Sequence, residues 1–286
     1  MRLIECVPNF SEGHNTAIID IVAAAVPPEL LLDRTSDPDH NRSVLTFAGS
    51  PAKVVSAALE AVRAAVDRID ISCHTGVHPR LGAADVVPLV PLEDVSLEDC
   101  AAMARELGEC IWDELGVPVF LYEAAARRPE CQRLESVRKL GHSGLAPDIG
   151  TGRHPTAGAC VVGARKFLIA WNINLRSQDL DSAREIAKTI RASNGGLPAV
   201  KALGLPLESR GQVQVSINLV DFEVTPLHVV YAAVEELAHA RGIEIAGSEL
   251  IGLIPQAALI ACAGHDLHWE NLQPDSVLER RLKKIV

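Results

Sequence analysis

Aromatic side chains are scarce, only 3% of a 286-residue chain. The cores are therefore expected to be built from Val, Leu, Ile and Ala. Excess positive charge is also missing: 27 Lys and Arg stand against 37 Asp and Glu, a formal net charge of −10. A general nucleic-acid surface needs a basic footprint, so that class is excluded, whereas a local cationic pocket for a small anion is not. The seven cysteines are odd in number and no two are spaced C-x-x-C. That argues against a disulfide framework or a zinc ribbon and fits a reducing, cytoplasmic setting. No apolar run is long enough to span a bilayer. The start, Met1 to Pro8, carries Glu5 and Pro8 within its short apolar run and does not read as a signal peptide. There is no G-x-S-x-G elbow, no Walker loop and no G-x-G-x-x-G fingerprint between a strand and a helix.

What is present reads as a soluble α+β protein of two units. At roughly 150 residues per domain, this length suggests two domains or one internal duplication. Leu3 to Val7, Leu30 to Asp33 and Ser43 to Ala48 read as strands, with a helix over about 15–25. Pro51 opens a helix whose apolar stripe is Val55, Leu59, Val62, Val66 and Ile69. Asp85 to Val90 and Val117 to Tyr122 read as strands around a helix over 96–115, with a further helix around 130–140. The plan then restarts. Leu168-Ile169 followed by Asn174 echoes Leu3-Ile4 followed by Asn9, and each strand runs into a helix. Val213 to Leu219 alternates strictly, Thr225-Pro226 caps and opens a helix, 243–246 is a strand, and Gly247-Ser248-Glu249 is a turn. Each half is thus expected to be a β-α-β-β-α-β unit of the split βαβ type, 1–162 and 163–286.

Three polar segments compete to carry chemistry. The first is Thr35 to Arg42, with Asp37, Asp39, His40 and Arg42. The second is the loop Ser72 to Pro88, with Cys73, His74, His78 and Arg80. The third is Gly150-Thr151-Gly152-Arg153-His154-Pro155-Thr156-Ala157-Gly158, followed by Arg165 and Lys166. Asp37, Asp39, His40, His74 and His78 would make a metal-ligand set. However, a two-histidine zinc motif depends on a helix to align its rings, and Gly76 and Pro79 break any helix here. No metal is therefore expected. Cys73 adjoins His74, but sequence adjacency does not align a thiolate with its base, and Cys73 reads as a small packed residue. General acid–base work by His78 needs only one imidazole and an orienting partner, for which Asp39 and His40 are candidates. In the third segment, glycines let backbone N–H groups approach an anion; the same composition also suits an interdomain linker.

Read together, several segments resemble the formiminotransferase family. They are Glu5-Cys6-Val7-Pro8-Asn9-Phe10-Ser11-Glu12-Gly13, Asn41-Arg42, His78-Pro79-Arg80 with Gly82-Ala83 and Asp85-Val86, Ala146-Pro147-Asp148, and Gly163 to Ala170. Asn172 to Leu175, Asp221 to Thr225 and Gly247 to Pro255 complete the set. The resemblance runs in order along nearly the whole chain. It implies two ferredoxin-like subdomains facing each other across a groove, as a homodimer. It implies transfer of the formimino group of N-formimino-L-glutamate to N5 of tetrahydrofolate, a step of histidine degradation, with tetrahydrofolate as co-substrate. The family's catalytic histidine falls on His78 and its folate-binding segment on about 150–158. Arg42, Arg80, Arg165 and Lys166 are candidates to bind carboxylates, for which an arginine offers a bidentate fork. The alternatives are a related folate-dependent transferase using a formyl or other donor, and a folate-binding protein without turnover.

Overall fold

The computed structural model describes residues 1–38, 41–74 and 80–283. The chain divides into two compact units, Met1–Lys166 and a second beginning at Phe167. In the first, β1 (Leu3–Cys6) and β2 (Asn9–Phe10) lie along one line, since both pair with the same two neighbouring strands. The break falls at Val7-Pro8, because proline has no N–H to give a ladder. After α1 (Thr16–Ala24), whose N-cap Asn15 accepts from the amides of Ala17 and Ile18, come β3 (Leu31–Asp37) and β4 (Arg42–Gly49). α2 (Pro51–Arg68), β5 (Ala84–Glu93), α3 (Leu97–Leu115), β6 (Val119–Glu123), α4 (Leu134–His142) and β7 (Cys160–Ala164) complete the unit. The sheet runs β3, β4, β1/β2, β5, β7, β6; the first four lines are antiparallel, and β7 lies parallel to both β5 and β6.

This unit is larger than the four-stranded plan expected of it. The β-α-β-β-α-β order is present in β1, α1, β3, β4, α2 and β5, and α3, β6, α4 and β7 widen it by two parallel strands. β7 was not expected from the sequence. It is buried on both faces and therefore reads as a short continuous apolar run, without alternation. β7 also passes through the position where a break at 162/163 is expected, and the unit ends after Lys166 instead.

Strand alternation gives each sheet face its own core. Cys6, Phe47, Val87, Leu89, Leu121 and Val162 pack beneath α1, α2 and α3. Val86, Phe120, Tyr122 and Val161 point the other way, where Val137 of α4 and Leu81 meet them. The expected α2 stripe is displaced. Its fully buried face is Val54, Ala57, Ala58, Ala61, Val62 and Ala65, while Val55, Leu59 and Val66 pack at the margin. In a core nearly without aromatics, small alanines let the helix backbone approach the sheet, and the larger side chains fill the gaps beside it.

The second unit follows β8 (Ile169–Leu175), α5 (Leu180–Ile190), β9 (Val200–Leu207), β10 (Gln212–Leu219), α6 (Leu227–His239) and β11 (Ile245–Ile251), then the short helices α7 (Gln256–Ile260) and α8 (Leu278–Leu282). Its four strands are antiparallel in the order β11, β8, β10, β9. The alternation of β10 is as read: Val213, Val215, Ile217 and Leu219 are all core. β9 escapes the sequence reading because Gly204 and Pro206 interrupt it. It is an edge strand, where both are tolerated. Gly247-Ser248-Glu249 is not a turn but part of β11, with a register shift between Ile245 and Gly247. Thr225 does not cap α6; its hydroxyl donates to the Pro198 carbonyl at 2.6 Å. Three rings cluster here, with Trp171 5.4 Å from Trp269 and 6.2 Å from Tyr231 between ring centroids. No helix among the described residues is long and apolar enough to cross a membrane.

Candidate active site

The β3–β4 hairpin explains how one polar segment reaches another. β3 continues past its apolar start to Asp37, which stands opposite Arg42 in the register. The turn residue Asn41 takes φ +46°, a left-handed conformation that asparagine tolerates better than most side chains. Its carbonyl accepts from Arg80 Nη1 at 2.8 Å, and its side-chain Oδ1 accepts from the Gly13 amide at 2.8 Å. Gly13 must be glycine, because a Cβ there would lie 2.4 Å from the Asp37 carbonyl oxygen and 2.5 Å from the Arg42 nitrogen. On the other side, the Ser11 hydroxyl donates to Gly82 O at 2.7 Å and the Ser11 amide to Ala83 O at 2.9 Å. Segments near residues 11, 41 and 80, far apart in the chain, are thus tied to one another.

A second set of bonds fastens the 154–158 turn to the same place. Ile71 N donates to Thr156 O, Ala83 N to Ala157 O, and Ala159 N to Leu81 O, at 2.7 to 3.0 Å. At about 1 kcal/mol net each, these three bonds give the two loops a common rigid base. His154 and Gly158 exchange backbone bonds at 2.8 and 3.0 Å, and the Ala157 amide donates to His154 Nδ1 at 3.0 Å.

These bonds narrow the reading of the third segment at three of its residues. The N–H groups of His154, Ala157 and Gly158 are spent within the protein and cannot cradle a ligand. Gly158 (φ +71°) is glycine because a Cβ would stand 2.3 Å from Leu81 O, and Gly150 (φ +78°) because a Cβ would strike the Trp112 ring at 2.2 Å. Thr151, Gly152, Arg153, Pro155 and Thr156 are exposed. What the segment presents outward is side chains, chiefly Arg153 and His154.

Those side chains line a cavity of about 530 Å³ with Ser72, His74, Arg80 and His142. Among the described residues, two arginines, three histidines and no acid line it, in a chain whose formal net charge is −10. Low-dielectric walls of one sign concentrate field, so the cavity favours an anion. Arg153 is steadied by a bond from its Nη2 to the Gly141 carbonyl at the end of α4, 2.9 Å.

Behind the cavity stands a group not anticipated from the sequence. Asp85, only 3% exposed, accepts from the Leu81 amide at 2.6 Å and from Arg138 Nη2 at 2.5 Å. Burial, then the Arg138 charge, hold the Arg42 guanidinium below its ordinary range, while Asp85 and Asp37 act in the opposite sense. Burial likewise lowers Arg80, opposed by Asp85 and reinforced by Arg138. Arg42, Arg80 and Arg138 therefore share one electrostatic cluster around Asp85. Arg138 could have been suspected only from its place on α4, a helix whose sequence reading starts four residues too early.

Arg165 lies elsewhere. Its amide donates to Leu89 O, midway along β5; Ala84 to Leu89 alone spans roughly 17 Å of strand. There Arg165 neighbours the buried carboxyl of Glu5, which burial pushes up to about 7 against the Arg165 charge. Lys166 is exposed beside it. Cys73 is exposed too, not packed. Asp39, His40 and His78 lie outside the described residues. His74 Nε2 is 2.6 Å from Arg80 Nη1, so its lone pair faces a guanidinium and not a metal position. Among the described residues, no three His, Cys, Asp or Glu side chains gather as a metal site.

Fold and site together define an α+β protein of two units with a cationic, histidine-bearing pocket for a small anion. The model of the formiminotransferase domain's N-terminal subdomain matches residues 3–165, and that of the formiminotransferase domain matches residues 170–285. The chain is 43% identical to the glutamate formimidoyltransferase of Streptococcus pyogenes serotype M1, over 98% of this chain and 99% of that one. It is 40% identical to the glutamate formimidoyltransferase of Thermoplasma acidophilum, over 99% and 98%. It is also 43% identical to the formimidoyltransferase-cyclodeaminase of Sus scrofa, over 95% of this chain but 53% of that protein. This chain belongs to the formiminotransferase family.

Proposed function

We propose that the protein transfers the formimino group of N-formimino-L-glutamate to N5 of tetrahydrofolate, giving 5-formiminotetrahydrofolate and L-glutamate, a step of histidine degradation that feeds one-carbon metabolism. The observation that carries this reading is identity above 40% across essentially the full length of a glutamate formimidoyltransferase. The geometry supports it: both substrates are carboxylates, and among the described residues the charged side chains lining the cavity of the first unit are cationic.

The chemistry asks little beyond orientation and proton transfer. N5 attacks the amidine carbon and a tetrahedral intermediate forms. N5 then loses a proton, the departing glutamate nitrogen gains one, and the carbon–nitrogen bond to glutamate breaks. One histidine performs both transfers, and His78 is assigned to it. In the chain it lies between His74 and Arg80, which are tied to each other, and Arg80 is tied also to Asn41. Asp37, Asp39 and His40 are the candidates to orient it. Arg153 and His154 are assigned to tetrahydrofolate, Arg42 and Arg80 to substrate carboxylates, and Arg165 to the support of Glu5. No metal is invoked. The working form is proposed as a cytoplasmic homodimer.

Purified protein assayed with tetrahydrofolate and a panel of formimino and formyl donors, with and without a strong chelator, tests the proposal. Transfer from N-formimino-L-glutamate that the chelator leaves intact is expected. Preference for N-formylglutamate would move the assignment to the related transferase, and activity lost to the chelator and restored by zinc would bring a metal into it.

A further inference from the structure

The contact between His74 and Arg80 has a chemical direction. A guanidinium only donates, so at 2.6 Å the His74 Nε2 must accept, and the ring is neutral with its proton on Nδ1. Burial, then the Arg80 charge, lower the ring below the ordinary histidine range; the Asn41 and Ser11 carbonyls and Glu12 pull the other way. Arg80 Nη1 thus has both protons committed, one to Asn41 O at 2.8 Å and one to His74. A long flexible side chain is held at two points before any ligand arrives.

The substrates' own chemistry says which carboxylate an arginine at this place meets. In N-formimino-L-glutamate the α-carboxylate is on the carbon that bears the reacting nitrogen. In tetrahydrofolate the carboxylates are separated from N5 by the whole aminobenzoyl group. Arg80 is two residues from His78 in the chain. A carboxylate close to the site of proton transfer is therefore the donor's. Resting on the functional reading above, we infer that His74 is a positioning residue, a neutral hydrogen-bond acceptor that holds Arg80 in place to bind the α-carboxylate of the formimino donor.

The inference is tested with His74→Ala and His74→Gln in the full chain. Glutamine keeps an acceptor and alanine does not. His74→Ala is expected to raise the donor's KM and its calorimetric Kd by about 10- to 100-fold, the worth of a hydrogen bond to a charged group. Turnover should stay within about threefold and tetrahydrofolate affinity within about twofold. His74→Gln should recover most of the donor affinity. Imidazole nitrogen NMR of the wild type, assigned by the resonance lost in His74→Gln, should show a neutral Nδ1–H ring at pH 7, a readout independent of whether His74→Ala folds. An imidazolium or an Nε2–H ring, an unchanged donor KM in a folded His74→Ala, or an equal loss for both substrates overturns the inference. A wild type that is folded but transfers nothing overturns the functional reading and with it the substrate assignment, while the NMR measurement still decides the role of His74 toward Arg80.

Discussion

Asp85 and Arg138 form a buried ion pair at 2.5 Å that anchors the chain just after Arg80. The second carboxylate oxygen of Asp85 holds the Leu81 amide, one residue past Arg80. Asp85 is the second residue of β5 and Arg138 belongs to α4, so the pair fastens the backbone at Leu81 to the first unit's sheet and to the helix behind it.

A buried pair of this kind contributes little net stability against an apolar replacement, but breaking it leaves one charge stranded. Asp85→Ala, which also removes the Leu81 acceptor, is expected to destabilise the protein by about 3–5 kcal/mol. The double variant Asp85→Ala/Arg138→Met should recover part of that loss. Urea unfolding of the wild type and the two variants measures both; a single-variant loss below about 1 kcal/mol would show that water reaches the pair.

Glu5 gives a pH signature with the opposite sign to an ordinary ion pair. Neither of its carboxyl oxygens has a hydrogen-bond partner among the described residues, and burial raises its pKa from 4.5 to about 7. The folded state holds this proton more tightly than the unfolded chain. The resulting stability is complete below pH 4.5, is lost as pH rises towards 7, and is flat above. At 1.36 kcal/mol per unit the change is about 3 kcal/mol. Comparing wild type with Glu5→Gln by denaturant titration from pH 4 to 8.5, the balance should shift by that amount in favour of Gln at the alkaline end. A gap that stays constant with pH would mean that Glu5 does not titrate in this window.

His78→Ala is expected to lower turnover by about 10²- to 10⁴-fold, with a smaller effect on folate affinity. Single-turnover kinetics separate the two. Near-normal turnover would remove His78 from the proton path and direct attention to His40.

Gly158→Val is expected to damage the fold, not just crowd a ligand, because its Cβ would meet the Leu81 carbonyl at 2.3 Å. Thermal unfolding should show a loss of more than about 2 kcal/mol. The cleaner probe of the cavity is Arg153→Ala, whose side chain is exposed. It should weaken tetrahydrofolate binding more at low salt than at high salt, as a screened charge contact does. Calorimetric titration at two ionic strengths reads the difference, and equal affinities for wild type and variant would exclude Arg153 from the folate site.

Much of the local plan is written in the chain itself. Period-2 alternation in Val213 to Leu219, apolar periodicity after Pro51, and the Asn15 and Ser96 caps determine where those strands and helices lie, because each depends on neighbours a few residues away. The segments that carry the family resemblance were legible for the same reason. Tertiary structure alone decided the rest. β7 and β9 have no local signature, since one is buried on both faces and the other is an interrupted edge. The α2 face is chosen by what packs on it, and alanine carries too little hydrophobicity to announce a buried side. Arg165 is close in sequence to the 150–158 turn, yet β7 carries it along β5 to Leu89, away from Arg80. Conversely, residues 11, 41, 74, 80, 138 and 154 are brought together only because antiparallel and parallel pairing fold distant segments into register. A carboxylate such as Asp85 has no partner in the sequence; the sheet and α4 supply Arg138.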